Sequence, residues 1–201
     1  MVTVKHLPTP RSSLQPQALN LLHKDEIKLK KSWWIGSWLV IMSMTLHLVM
    51  APASAQALPK PKGPVILTVS GHISQRNAGD SAEFDAGMLT ALAASQIVTK
   101  TPWQAPAARF SGPALKSLLS TVGAKGKVLR LIALDKYEVN IPIEDVASYG
   151  PVLALRMDDK ELKIRNRGPV LLMYPFDSYP ELDTEVYYGR SVWQLQHIVV
   201  E

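Results

Sequence analysis

Cysteine is absent from the 201 residues of this chain. A chain without thiols forms no disulfide, has no thiol nucleophile and offers no thiolate ligand to a metal. Histidine is scarce, since only His72 and His197 follow residue 57, and they stand 125 positions apart. The sequence also contains no G-x-S-x-G, no glycine-rich dinucleotide-binding motif and no P-loop. These absences exclude the common catalytic constellations, so we predict no catalytic residue and no metal site.

Basic residues outnumber acidic ones, but most of the excess lies near the N-terminus. The chain carries 22 Lys+Arg and 17 Asp+Glu, which gives a formal net charge of +5. Residues 1–57 hold six of the basic and two of the acidic residues, so +4 belongs to this part and +1 to the remaining 144 residues. Because the domain is nearly neutral, the nucleic-acid interpretation loses its main support, and no nucleic-acid partner is predicted.

Residues 1–57 have the organisation of an export signal. The lysine-rich segment 28–31 precedes an uncharged apolar stretch at 33–50, and small residues follow it. This order is typical of a secretory signal peptide, and it predicts cleavage after Ala55 or Ala57 and a periplasmic location. The alternative is an uncleaved inner-membrane anchor, because 18 apolar residues lie at the lower edge of the roughly 17–25 that span a bilayer. Membrane contact is predicted only through this apolar stretch, if it is uncleaved.

After a proline-rich lead at 58–64, hydrophobic periodicity predicts strands and helices in mixed order. The strands are predicted at 65–74, 82–84, 127–134, 137–141, 152–157, 169–174 and 192–200. The helices are predicted at 86–94 and 114–122, with a short helical segment at 142–149 and long loops at 97–108 and 175–190. Because strands and helices do not alternate regularly, we predict an α+β domain at 65–201 with a mixed β-sheet.

Single residues predict where some of these elements begin and end. Asp85 is predicted to cap the N-terminus of the first helix, and Pro113 to occupy the first position of the second. Gly123 is predicted to end that second helix. In the last strand, His197 is predicted to share a face with Leu195, because strand side chains alternate with a period of two.

A cluster of basic residues follows residue 155. It comprises Arg156, Lys160, Lys163, Arg165 and Arg167. If 152–157 and 161–165 pair as a hairpin, several of these side chains share one face and can bind an anion such as phosphate or carboxylate. The alternative is a solvated hairpin whose interspersed acids serve solubility.

Aromatic residues are concentrated in the segment 173–180, and Tyr187 and Tyr188 follow it. Long loops are often functional, and aromatic side chains with polar ends suit ligand or partner surfaces. The alternative is that the rings pack against one another as a satellite core.

Seven short motifs in a fixed order carry a family resemblance. They are Phe110-Ser-Gly-x-x-Leu-x-x-Leu-Leu, Gly123, Leu131-x-Ala-x-Asp-x-Tyr137, Asn140-Ile-Pro-Ile-Glu-Asp-Val146, Val152-Leu-Ala-Leu, Gly168-Pro-x-x-Leu-x-x-Pro175 and Val192-Trp-x-Leu-x-x-Ile198. With this order, residues 65–201 resemble the molybdopterin-binding domain of the sulfite-oxidase-like oxidoreductases, and in particular the small exported proteins that carry this domain alone. The resemblance implies a truncated α+β domain with a mixed sheet.

The resemblance also implies molybdopterin as a cofactor. Full-length enzymes of the family hold molybdenum through the pterin dithiolene and one protein cysteine thiolate, and this chain has no cysteine. It has Arg167-Gly168 where family enzymes often carry His-Gly, and Val192-Trp193 where they often carry Lys-Trp. We therefore predict no bound cofactor, and molybdopterin is implied by the family resemblance alone.

We accordingly predict an exported, non-catalytic domain with a ligand-binding or accessory role, for a small anionic ligand or for a membrane or periplasmic partner protein. The predicted ligand-binding residues are Arg109, Asp135, Tyr137, Asn140, Arg167 and Tyr174. Asp135 and Tyr137 are expected to supply polar contacts, and the two arginines to pair with an anion. The alternative is a molybdopterin-dependent oxidoreductase, or a subunit of one, that holds its cofactor through phosphate contacts without a thiolate.

Overall fold

The computed structural model describes residues 57–201. The apolar stretch 33–50, with the predicted choice between signal peptide and anchor, lies outside the described residues. Within 57–201, no helix is long and apolar enough to cross a bilayer.

A five-stranded mixed sheet forms the centre of the domain. In spatial order its strands are β2 (Ala82–Asp85), β1 (Val65–Gly71), β11 (Leu195–Val200), β5 (Val128–Ala133) and β6 (Glu138–Pro142). The first and last strands of the domain lie side by side and parallel, with Thr68 opposite His197, and the other neighbours are antiparallel. The first and last strands of the described chain are therefore neighbours in the middle of the sheet.

Two smaller sheets pack beside the central one. One contains β3 (Ala94–Thr101), β4 (Gln104–Pro113), β8 (Arg156–Met157) and β9 (Lys160–Glu161), and the other contains β7 (Val152–Ala154) and β10 (Leu171–Met173). The helices are short: α1 (Ala86–Thr90), α2 (Leu115–Thr121), α3 (Glu144–Ser148) and α4 (Glu185–Arg190), with 3₁₀ turns at Ile164–Asn166, Phe176–Ser178 and Pro180–Leu182. The predicted α+β class with a mixed sheet is confirmed.

Alternating side chains of the central sheet and one face of α2 build the core. Leu67 and Val69 of β1 and Leu129 and Leu131 of β5 are fully buried, because strand residues two apart share a face. The buried face of α2 consists of Leu115, Leu118 and Leu119, at the helical spacing that predicted it. Gly123 follows the C-cap residue Val122 and adopts φ +60°, which confirms the prediction that this glycine ends the helix.

The predicted loop at 97–108 is wrong, because β3 and β4 pair there as a long antiparallel hairpin. Pro102 and Pro106 caused the error, since proline usually argues against a strand. Pro102 lies in the connection between the two strands, and Pro106 lies where the register between Thr99 and Thr101 shifts. Neither proline therefore occupies a regular position in the ladder.

Three further boundaries differ from the prediction. The first helix ends at Thr90 instead of residue 94, although Asp85 caps it as predicted by accepting a hydrogen bond from the Met88 N–H. Pro113 ends β4 and does not begin α2. The loop predicted at 175–190 contains two 3₁₀ turns and α4.

His197 and Leu195 do not share a face of β11. Leu195 is fully buried, whereas His197 is half-buried and its ring nitrogen Nε2 lies 2.8 Å from the Ser70 hydroxyl. The register against β5 shifts between Leu195 and His197, and such a bulge inserts one residue and reverses the face of every side chain beyond it.

Candidate functional site

A cleft of about 680 Å³ opens where four separate segments converge. Its walls come from Trp103 between β3 and β4, the β5–β6 turn at 134–137, the loop 164–167 and the segment 191–194 before β11. Clefts that bind small molecules typically enclose about 300–1,000 Å³. The opening is thus large enough for a ligand of cofactor size.

The loop that carries Arg165 and Arg167 is held by backbone contacts on both sides. The Gln194 N–H donates to the Arg167 carbonyl at 2.9 Å, and the Gln194 side-chain amide donates to the Ile164 carbonyl at 2.7 Å. On the other side, a Cβ on Gly168 would lie 2.4 Å from the Leu162 carbonyl carbon, so only glycine permits this close approach. These contacts determine where the two arginines enter the cleft.

Arg167 is the partly buried cation of the cleft. Its guanidinium carbon lies 4.5 Å from the ring centroid of Trp193, and its NH1 group donates to Oε1 of Gln104 at 3.2 Å. Burial lowers the pKa of Arg167, but a guanidinium titrates so far above neutrality that it stays protonated. Arg165 is exposed and makes no ion pair within 4.0 Å in the described part of the chain.

The β5–β6 turn supplies the acid and the phenol of the cleft. The Tyr137 N–H donates to the Asp135 carboxylate at 3.0 Å, and the Tyr137 hydroxyl donates to the Gly189 carbonyl at 3.1 Å. The first bond holds the turn, and the second ties it to α4. Asp135 remains exposed and keeps carboxylate lone pairs available to a ligand.

Aromatic rings form one wall of the cleft. The Trp103 ring lies edge-on to Trp193 at a centroid distance of 5.5 Å and to Tyr188 and Phe176 at 6.3 Å each. Tyr188 and Phe176, 5.3 Å apart, come from the aromatic segment. The rings of Phe176 and Tyr188 pack against each other, as one alternative predicted, and Tyr188 also lines the cleft, so the predicted ligand or partner surface stays a prediction.

The structure brings three of the six predicted ligand-binding residues together and leaves three apart. Asp135, Tyr137 and Arg167 line the cleft. Arg109 lies exposed on β4 and pairs with Asp159 at 3.5 Å, and Asn140 lies exposed on β6 opposite Arg130. Tyr174 is fully buried in the core.

Tyr174 belongs to a buried polar cluster outside the cleft. Its hydroxyl donates to the Asp145 carboxylate at 2.9 Å, and Arg190 donates to the same oxygen at 2.9 Å. Burial, with the nearby Asp145 charge, raises the pKa of Tyr174. Beside it, the hydrogen bond between the Tyr149 and Tyr187 hydroxyls, together with burial, raises the pKa of Tyr149 to about 12. The buried Asp145 carboxylate is satisfied by a cation and a hydroxyl, so loss of either partner would leave a buried charge incompletely paired, and the cluster is explained without a ligand.

The basic cluster predicted after residue 155 is divided between two surfaces. β8 and β9 do form a hairpin, with Arg156 opposite Glu161, but the second strand ends at Glu161 and a 3₁₀ turn follows at Ile164–Asn166. Arg165 and Arg167 therefore turn into the cleft, whereas Arg156 borders a separate apolar groove next to β3 and β4. The predicted hairpin of 152–157 with 161–165 is wrong in its second half.

Sequence reasoning missed Trp103, Trp193 and Gln194 as cleft residues. Trp103 fell in a stretch predicted as loop, and Trp193 was assigned to the last strand, which begins only at Leu195. The sequence did contain a signal for the two tryptophans. A tryptophan outside a helix or strand is costly to leave exposed to water, so its ring usually packs against other residues or binds a ligand.

Comparison with known proteins finds a family model that matches the central part of the chain. Residues 84–177, just under half of the chain, match the model of the oxidoreductase molybdopterin binding domain. The matched range includes Trp103, Asp135, Tyr137 and Arg167 and ends before Trp193. No curated protein matches the chain.

Proposed function

Because this chain carries an oxidoreductase molybdopterin-binding domain, we propose that it is an exported protein that binds a small anionic ligand in the cleft and performs no redox catalysis itself. The observation that carries the proposal is the pair Arg165 and Arg167 at the mouth of an aromatic-walled cleft, in a chain without cysteine.

The charge and geometry of the cleft favour an anion. A guanidinium presents a planar set of donors that matches phosphate and carboxylate oxygens. Arg167 is half-buried, and partial burial strengthens its attraction for a negative group because less water screens the charge. The Trp193 ring beneath it and the Trp103 ring beside it offer flat apolar faces to a ring-shaped part of a ligand.

Molybdopterin fits these residues in part. Arg165 and Arg167 suit its phosphate, and Asn166 and Asp135 offer hydrogen-bond partners for a pterin. When bound, molybdenum would supply two-electron redox chemistry, but this chain provides no thiolate to the metal. In residues 57–201 no group of three or more histidine, aspartate or glutamate side chains converges to form a metal site of its own. The donor set thus suits the organic part of the cofactor better than a catalytic metal.

Ligand titration tests the proposal. The purified protein is titrated with inorganic phosphate, a pterin phosphate and simple carboxylates, and its thermal unfolding is followed. A ligand that binds only the folded state stabilises it by about 2.7 kcal/mol at 100 times its dissociation constant. We expect Arg165→Gln to weaken binding about tenfold, since charged hydrogen bonds contribute about 1.5–3 kcal/mol. Lys160→Gln, which removes an exposed cation outside the cleft, is the matched control.

Two results would overturn the proposal. One is the absence of a stabilising shift with every anion, and the other is an equal shift in the Arg165→Gln and wild-type proteins.

The family match favours a second function, a molybdopterin-dependent oxidoreductase or subunit that holds its cofactor without a thiolate. This alternative predicts molybdenum close to one atom per chain in protein purified from the native periplasm. Metal analysis that finds molybdenum at this ratio supports it, and analysis that finds none removes it.

A further inference from the structure

We propose that the mouth of the cleft docks on an anionic phospholipid bilayer, so that a headgroup phosphate enters between Arg165 and Arg167. The inference rests on the proposed function, because it assigns the anionic ligand of the cleft to a lipid. It adds a membrane-binding surface that is independent of the apolar stretch 33–50.

Exposed apolar side chains surround the cleft mouth. Tyr137, Ile164 and Trp193 line the cleft and are 46%, 57% and 41% exposed. Leu134, 42% exposed, lies beside them, since its N–H donates to the Gln194 carbonyl at 3.0 Å. These four residues form the rim. A soluble domain rarely gathers such side chains around one opening unless something covers them.

The rim chemistry resembles that of membrane-interface surfaces. Tryptophan and tyrosine prefer the headgroup region, where the ring is in an apolar setting and the polar end remains hydrated. Isoleucine and leucine add apolar area that can enter the acyl boundary. The rim residues come from three separate segments around a concave opening, and individual lipids can fill such a shape more readily than a rigid protein surface.

Basic residues lie among the rim residues and give this surface a positive charge. Lys136 adjoins Tyr137, and Lys163 and Arg165 flank Ile164. All three are exposed, and none has an acidic partner within 4.0 Å in residues 57–201. Lysine and arginine beside apolar groups are attracted to anionic headgroups.

The same charges argue against a second copy of this chain as the occupant. A twofold interface places one surface patch against its own copy. Lys136, Lys163 and Arg165 would then face the same three cations, and the acids nearest to them in sequence are Asp135 beside Lys136 and Glu161 two residues before Lys163. An anionic bilayer complements this surface, whereas a second copy repels it.

Hydrogen exchange with vesicles tests the inference. Because an uncleaved stretch 33–50 would bind any bilayer, the readout is the exchange of peptides that contain Leu134 and Ile164, which reports on the rim itself. The full chain is mixed with vesicles of phosphatidylglycerol and phosphatidylcholine in equal amounts, or of phosphatidylcholine alone. We expect slower exchange at both peptides with the anionic vesicles only.

Matched variants distinguish vesicle binding by the rim from nonspecific adsorption of the protein to vesicles. Ile164→Ser and Arg165→Gln should each shift the lipid concentration for half-protection about fivefold, the effect of one basic or apolar contact at a membrane surface. Val98→Ser removes an apolar side chain of similar exposure, 59% against 57%, and Lys160→Gln removes an exposed cation. Neither control residue lines the cleft, and neither substitution should change the protection.

A parallel titration with inorganic phosphate and glycerol phosphate distinguishes the two proposals. Soluble phosphate binding that depends on Arg165, without rim protection by vesicles, overturns the membrane inference and leaves the proposed function standing. Two further results overturn the inference. One is equal protection of the rim by neutral and anionic vesicles, and the other is protection of the rim by an acidic protein but not by vesicles. Failure of both the soluble anions and the vesicles overturns both proposals.

Discussion

At the scale of single residues, the sequence shows which groups are present, and their neighbours decide what those groups do. Arg109 and Arg167 read alike in the sequence, yet one pairs with Asp159 at the surface and the other lies over Trp193 in the cleft. Tyr137 and Tyr174 differ in the same way, because one lines the cleft and the other is buried against Asp145. Residue type therefore does not predict which side chain lines the cleft.

His197 gives a prediction about pH at this scale. It is half-buried next to Ser70, and burial, aided by the Arg130 charge, lowers its pKa below the ordinary value of 6.5. As the pH falls through about 6.5, the unfolded chain takes up this proton before the folded chain does, so the free energy of unfolding decreases. His197→Gln should reduce the loss of stability between about pH 7 and pH 5.

The measurement is urea unfolding at a series of pH values. His72→Gln, which replaces an exposed histidine, is the control and should leave the wild-type slope unchanged. Identical pH slopes for wild type and His197→Gln would contradict the prediction.

At the scale of elements, short segments depend on contacts from distant parts of the chain. Helix α1 has only five residues, too few to be stable alone. Asp85 links it to the lead: its Oδ1 accepts from Met88, and its Oδ2 accepts from the N–H groups of Lys62 and Gly63 at 2.7 and 2.8 Å. These three backbone donors lower the pKa of Asp85, so the stabilisation is present at neutral pH and is lost as the pH falls below 3.8.

Substitutions at Asp85 separate the two roles of its carboxylate. Asp85→Ala removes the helix cap and both bonds to the lead, whereas Asp85→Asn can keep an acceptor for Met88 and places an amide group where Oδ2 was. We expect both variants to unfold at a lower temperature, with the larger decrease for Asp85→Ala. Hydrogen exchange in residues 58–64 should rise in both, and exchange in α1 should rise mainly in Asp85→Ala.

Asp80→Asn changes an exposed acid in the adjoining turn and serves as the control. Unchanged exchange of residues 58–64 in both Asp85 variants would refute the proposed link between the lead and the helix.

At the scale of the whole molecule, the export prediction concerns residues 1–57 and the binding proposal concerns residues 57–201. The two are tested separately. If the signal peptide is cleaved, the exported protein begins at Gln56 or Leu58, one residue after the predicted small-residue positions. Intact-mass measurement of the protein recovered from the periplasm checks this, and a mass that includes residues 33–50 would establish the anchor instead.

Much of the fold could be predicted from local pattern. The β5–β6 hairpin, the face of α2 and the Asp85 cap followed from spacing that depends on neighbours in the chain. The β3–β4 hairpin was missed because its two prolines occupy irregular positions that only the paired strand defines. The face of His197 was missed because a bulge inserts one residue into the period-two pattern.

The sequence by itself determined the α+β class, the approximate positions of most strands of the central sheet and the lack of any thiolate ligand, because composition and periodicity are properties of the chain. Only the tertiary structure decided that Trp103, Asp135, Arg167 and Trp193 share one cleft. These residues are separated by up to 90 positions, and their distances depend on strand order and register. The missing cysteine acquires its meaning from both, since the cleft gathers cations and aromatic rings and the chain has no thiolate for a metal.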